Sequence, residues 1–176
     1  MWEALAEAFS RFPSQGKVAR LLVQHGFRVV DSKILCGTVK INDSAIARAA
    51  DVDRRVVVAT VQTIQADPHL RRVFGALLPA CNLKEVGPTM GWGVLELIPT
   101  SAQTVGIIAK TTALIAEAQI SLRQIVIEDD PQFSPTPRAF IITEQRLPPR
   151  IVEAIRRVEG VEGVVLYAPV GTAPTG

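Results

Sequence analysis

The sequence predicts an α+β protein in two parts, a mostly helical first half followed by a four-stranded antiparallel sheet with two helices on one face. Three observations predict it. Gly91 to Pro169 reads as strand, helix, strand, strand, helix, strand, and right-handed crossovers with strand adjacency turn that βαββαβ order into such a sheet. Asn42 to Ile64 holds two helices separated by a very short turn. The charge also divides: residues 1–84 carry 12 Lys and Arg against 7 Asp and Glu, and residues 85–176 carry 7 against 10, so a formal +5 is joined to a −3 within an overall +2.

In the first half, Glu3 to Phe12 and Ser14 to His25 have the apolar spacing of amphipathic helices. Phe27 to Ile41 is β-rich around Cys36-Gly37, the pattern of a small hairpin. Asn42 or Asp43 is the expected cap of a helix over Ser44 to Ala50, and Asp53 of the next, because short side-chain oxygens accept the N–H groups that a helix start leaves unbonded. Ile46, Val57, Val61 and Ile64 are among the apolar positions that lock the pair. Pro68 to Leu78 is a further helix. Asn82 to Pro88 then reads as a connection, with Gly87-Pro88 breaking regular structure. The expected division is a first domain at 1–84, a linker at 85–90, a second domain at 91–170 and a flexible tail at 171–176.

The helix pair resembles a helix-turn-helix, and a short hairpin beside helices makes the first domain winged-helix-like. In such a pair the second helix enters the major groove of DNA and its first turn meets the base edges. Here that turn is Arg54-Arg55, followed on later turns by Val58, Ala59 and Gln62. Arginine suits bidentate contact to guanine or a fork on phosphate, and Gln62 suits adenine. Arg48, on the preceding helix, and Lys40, just before it, suit backbone phosphate, which gives affinity without sequence preference. The two arginines also suit surface ion pairs with Asp51 or Asp53.

In the second half, the first strand is Trp92 to Pro99, and a Gly-containing corner leads to a helix over Ile107 to Ala118, capped by Ser101 or Thr104. A strand at Ile120 to Ile127 is followed by Glu128 to Pro137, too rich in proline and acid to be regular. Arg138 to Thr143 is the third strand. Pro148-Pro149 fits a helix start, since proline presets φ and lacks the N–H that would go unbonded there. That helix ends at Gly160, and Val161 to Tyr167 closes the sheet.

This is a ferredoxin-like order, and its details resemble the ACT domain, a module that binds amino acids and other small effectors. The resemblance is carried by Val105-Gly106-Ile107-Ile108-Ala109-Lys110, by Ile115 to Gln124 and by Val158 to Val164, about half of the chain. It implies an effector held by the turn Gln103, Thr104, Val105 and Gly106 and by Ser121 and Leu122 at the start of the second strand, at a seam between two copies. Gly106 would let the backbone approach a carboxylate, and the helix that starts there points N–H groups at an anion. The whole chain, through Val52 to Val56 and Gly106 to Gln124, resembles archaeal proteins described as predicted regulators of amino-acid metabolism.

No apolar run reaches the roughly 18 residues that span a bilayer, so no membrane partner is expected. The first residues lack the basic start and apolar stretch of a secretion signal, which points to a cytoplasmic protein. Cys36 and Cys81 have no metal-ligand spacing with His25 or His69. Neither a nucleophile–base pair nor a phosphate-cradling glycine loop is visible, so the chain is expected not to be an enzyme and to carry no cofactor. The expected role is an amino-acid-responsive transcription regulator with DNA and a small amino-acid effector as partners, working as a homodimer or higher homo-oligomer. The alternative is an accessory subunit that binds no DNA and docks on an enzyme of amino-acid metabolism.

Overall fold

The computed structural model describes residues 2–130, 134 and 136–168. The predicted tail at 171–176 and part of the acidic loop lie outside the described residues. The structure is α+β with two antiparallel sheets, divided into two compact units, Met1–Cys81 and Asn82–Gly176. Among the described residues no helix is long and apolar enough to cross a membrane.

The first unit opens with α1 (Trp2–Ala6), which tightens into a 3-10 turn at Glu7–Phe9 instead of continuing to Phe12 as predicted. Phe12 precedes Pro13, which disfavours helical backbone, and it sits at φ −132°. Pro13 is the first residue of α2 (Pro13–His25), and Gly26 closes that helix at φ +63°, where any Cβ would strike the backbone of Leu78 and Pro79. Three strands follow, β1 (Arg28–Val30), β2 (Lys33–Cys36) and β3 (Val39–Ile41), paired in sequence order. The predicted hairpin at Cys36-Gly37 is therefore the second of two. The first turns on Asp31 and Ser32, both at positive φ, the conformation that a two-residue hairpin loop requires.

Then come α3 (Asp43–Ala50), α4 (Arg54–Ala66) and α5 (Pro68–Ala76). The small sheet thus precedes the helix pair and helix follows it, so the sheet does not trail α4 as a wing; the winged-helix-like reading is corrected. Two local features go with this order. Tight turns fold residues 28–41 back before α3 begins, and Asp67 caps α5 directly after α4. Val18 and Leu22 of α2, Val29, Ile34, Ile46, Val57 and Ile64 of α4, and Phe74 of α5 are buried, each contributing about 2 kcal/mol by leaving water.

The second unit has strands β4 (Gly93–Pro99), β5 (Leu122–Glu128), β6 (Arg138–Thr143) and β7 (Val161–Leu166), in the order β5-β6-β4-β7 with every pair antiparallel. Its helices are α6 (Ile107–Glu117) and α7 (Pro149–Arg156). Alternation along the central strands splits the core in two. Leu95, Leu97, Ala139 and Ile141 pack with Ile107, Ile115, Ile151 and Ile155 on the helix side. Val94, Phe140 and Ile142 form the other face with Leu83, Trp92, Val126 and Tyr167.

That second face receives the segment read as a linker. Leu83 N–H donates to Gln124 Oε1 at 2.9 Å, Lys84 Nζ lies 3.3 Å from Glu128 and 4.3 Å over the Phe140 ring, and Pro88 is buried. Residues 82–92 are a strap on the sheet and belong to the second unit. At Gly160 the expected helix stop moves: α7 already ends at Arg156, and Gly160, at φ +89°, forms the turn into β7.

Candidate nucleic-acid interface and effector site

The α3–α4 pair is built by its turn. Asp51 takes the left-handed conformation after α3, and Val52 N–H returns to the Ala47 carbonyl at 3.0 Å, a closure that ends the helix sharply. Asp53 then caps α4, its Oδ1 accepting from Arg55 N–H at 2.8 Å. Asn42 holds the cap position of α3 with extended backbone, but its side chain makes no cap bond. Asp43, the first helical residue, instead faces Arg54, 3.8 Å from its Nη2.

Burying Val57, Val61 and Ile64 fixes which face of α4 meets solvent. On it Arg54, Arg55, Val58, Ala59 and Gln62 surround one shallow hollow of about 270 Å³. The structure thus brings together the α4 residues that the sequence singled out. It gives the two arginines different settings. Arg54, 68% exposed, leans toward Asp43, whereas the Arg55 side chain has no ion pair among the described residues, its backbone alone bonding to Asp53. Neither arginine pairs with Asp51 or Asp53 through its guanidinium. Arg48 on α3 and Lys40 on β3 are exposed but do not line the hollow.

In the second unit, Gly106 is the N-cap of α6 at φ +91°, and a Cβ there would meet nothing. The predicted side-chain cap is absent: Ser101 Oγ accepts from Gln103 N–H at 3.2 Å, closing the turn on itself, and neither Ser101 nor Thr104 reaches α6. Among the described residues no side chain caps the first N–H groups of α6. Val105 is 93% exposed and Gln103 is exposed. Beside this turn lies a pocket of about 210 Å³, lined by Leu97, Ser101, Thr104, Ile107, Ile127 and Asp129 among others.

Ser121 and Leu122 are not part of that pocket. Leu122 pairs with Thr143, which pairs with Gly93 at the start of β4, while Gly106 follows the end of β4. Within one chain the two halves of the predicted effector site therefore stand a strand length apart, about 20 Å. Ser121 is occupied locally, its N–H donating to Glu144 Oε1 at 3.2 Å and its carbonyl accepting from Glu144 N–H at 3.0 Å. Ile127 and Asp129, absent from the predicted set, do line the pocket. Their signal was the apolar alternation of β5 running into acid.

The other face of the sheet holds a buried carboxylate. Glu96, 4% exposed, accepts from Arg138 Nη1 at 2.8 Å and from the Tyr167 hydroxyl at 2.9 Å. Burial and the bond to Glu96 push the Tyr167 phenol up to about 12. Among the described residues no group of three or more His, Cys, Asp or Glu is placed to hold a metal ion.

No protein-family model matches the chain, and no curated protein matches it. Among solved structures it is similar to an AsnC family transcriptional regulator from Agrobacterium tumefaciens, at 12% identity over 93% of this chain and 94% of that one, with a TM-score of 0.26. It is also similar to MtbAldR, at 11% identity over 93% and 96%, with a TM-score of 0.24. Overlap this low assigns the chain neither a family nor a role.

Proposed function

We propose that the chain is a transcription regulator that binds duplex DNA through α3 and α4 and answers to an amino acid through its second unit. One observation carries the reading: α4 is locked by its apolar face and turns two arginines, Gln62 and a small apolar patch outward around a common hollow. A helix presented in this way has the dimensions and donor chemistry of a major-groove reader. The +5 formal charge of residues 1–84 supports a polyanion partner.

The effector belongs to the pocket beside Gly106, where uncapped helix N–H groups and an open backbone suit a carboxylate. Ser121 and Leu122 join such a site only from a second copy, which ties the effector reading to a homodimer. Exposed apolar side chains on both edge strands, Ile125 and Ile127 on β5 and Val165 and Leu166 on β7, support pairing there. For the effector to change DNA affinity tenfold, its two binding modes must differ by about 1.4 kcal/mol. Regulation of this kind needs no catalytic step, and we assign the chain none.

The test is binding of the full chain to genomic duplex fragments at rising salt. Affinity should fall steeply with salt, and reversing charge through Arg54→Glu with Arg55→Glu should abolish it while leaving the melting temperature and oligomer unchanged. A wild-type chain with no salt-sensitive affinity for any duplex sinks the reading and favours the accessory-subunit alternative.

A further inference from the structure

We infer that Arg55, Val58 and Gln62 form a reading ladder for three adjoining base pairs, and that Arg54 grips phosphate and reads no base. This rests on the DNA reading above and adds the sequence it selects. Residues on a helix advance by about 100°. Measured from Arg55, Gln62 lies about 20° and Val58 about 60° to one side, with Arg54 about 100° to that side and Ala59 about 40° to the other. Arg55, Gln62 and Val58 therefore hold the middle of the exposed stripe, and Arg54 and Ala59 are its margins.

The contacts agree with the angles. Arg54 at the margin is drawn toward Asp43, off the axis of the stripe. Arg55 carries no ion pair among the described residues that would have to be broken before it met a base. Asp53 occupies the Arg55 N–H with its carboxylate, so contact with DNA at the start of α4 falls to side chains and not to that backbone donor. Val58 is 39% exposed between two polar readers, a position where an apolar side chain gains only if it covers something apolar. In the major groove that object is the thymine methyl.

From Arg55 to Gln62 the ladder climbs seven residue steps, about 10 Å of helix, which matches about three base pairs at their 3.4 Å rise. Read along α4, it selects guanine through Arg55, a thymine methyl against Val58, and adenine through Gln62, whose amide donates to N7 and accepts from N6.

Selection of bound duplexes from a random pool by the full chain, with and without the standard amino acids, tests this. The wild type should enrich a core in which a G·C pair and an A·T pair flank one thymine. Gln62→Glu should change the adenine to cytosine, which offers an amino donor to a carboxylate, and Arg55→Gln should change the guanine to adenine, each by about tenfold. Arg54→Gln should weaken all duplexes alike and lower the salt slope by about one. These side chains are exposed, and an unchanged melting temperature confirms that the variants fold. Salt-sensitive binding with no enriched core, or a core that Arg55→Gln and Gln62→Glu leave unmoved, overturns the ladder while the DNA reading stands. Absence of binding to any duplex removes both.

Discussion

A carboxylate in the middle of a sheet is the residue whose chemistry is most sharply defined. Taking such a charge from water costs several kcal/mol unless a partner and hydrogen bonds replace the lost hydration, and Glu96 has both in Arg138 and Tyr167. Arg138→Met should cost about 3 kcal/mol, the low end for a broken buried pair because Arg138 keeps part of its surface in water. Adding Glu96→Leu should recover much of that loss; urea denaturation measures both. Tyr167 provides a second test, since it is the chain's one tyrosine and near-ultraviolet phenolate absorbance reports it alone. Its phenol should titrate near 12 in the folded chain, against a usual value of 10. Between those values the unfolded chain has given up a proton that the folded chain keeps, so stability falls as pH rises through the window. Tyr167→Phe should remove that part of the alkaline loss. A phenol titrating near 10 would show that neither its burial nor its bond to Glu96 holds in solution.

Caps and turns decide where each element begins. Asp67 accepts from both His69 and Leu70 N–H, at 2.7 and 3.0 Å, and the bonds to Leu70 and then His69 hold its carboxyl below 3.8. This contribution is present above the ordinary carboxylate range and disappears as acid protonates the folded chain. Asp67→Ala should therefore lower the melting temperature at neutral pH, and the difference from wild type should vanish in strong acid; a gap that persists there would place the effect elsewhere. Elements with a strong local signal were legible in the sequence. Asp53 stands where a cap was expected, and apolar spacing places α2, α4 and α6 within a residue or two. What failed was chemistry that lies in the backbone. Ser101 and Thr104 have the right side chains to cap α6, but Gly106 takes the cap position in a left-handed conformation and turns them away. Asp31 and Ser32 carry no glycine to announce a hairpin, so the sequence signals one hairpin where the structure has two.

At the scale of the whole molecule, the two candidate sites differed in how far sequence could reach. That Arg54, Arg55, Val58, Ala59 and Gln62 share one face was legible because they lie on one helix, where position in sequence fixes position on a face. The effector residues were legible only through the resemblance, which sets them at a seam between two copies, because Gly106 and Ser121 belong to opposite ends of the sheet within one chain. The expected oligomer is consequently a homodimer, and sedimentation equilibrium should give twice the chain mass. A stable monomer that still binds an amino acid in a thermal-shift screen would confine the effector to the 210 Å³ pocket. The strap over residues 82–92 has a practical corollary for anyone dividing this protein. A fragment opened at Gly91, where the regular βαββαβ pattern starts, would strip Leu83 and Lys84 from Val94, Phe140 and Ile142 and leave a greasy, self-adhesive sheet. One opened at Asn82 would carry its own wrapping.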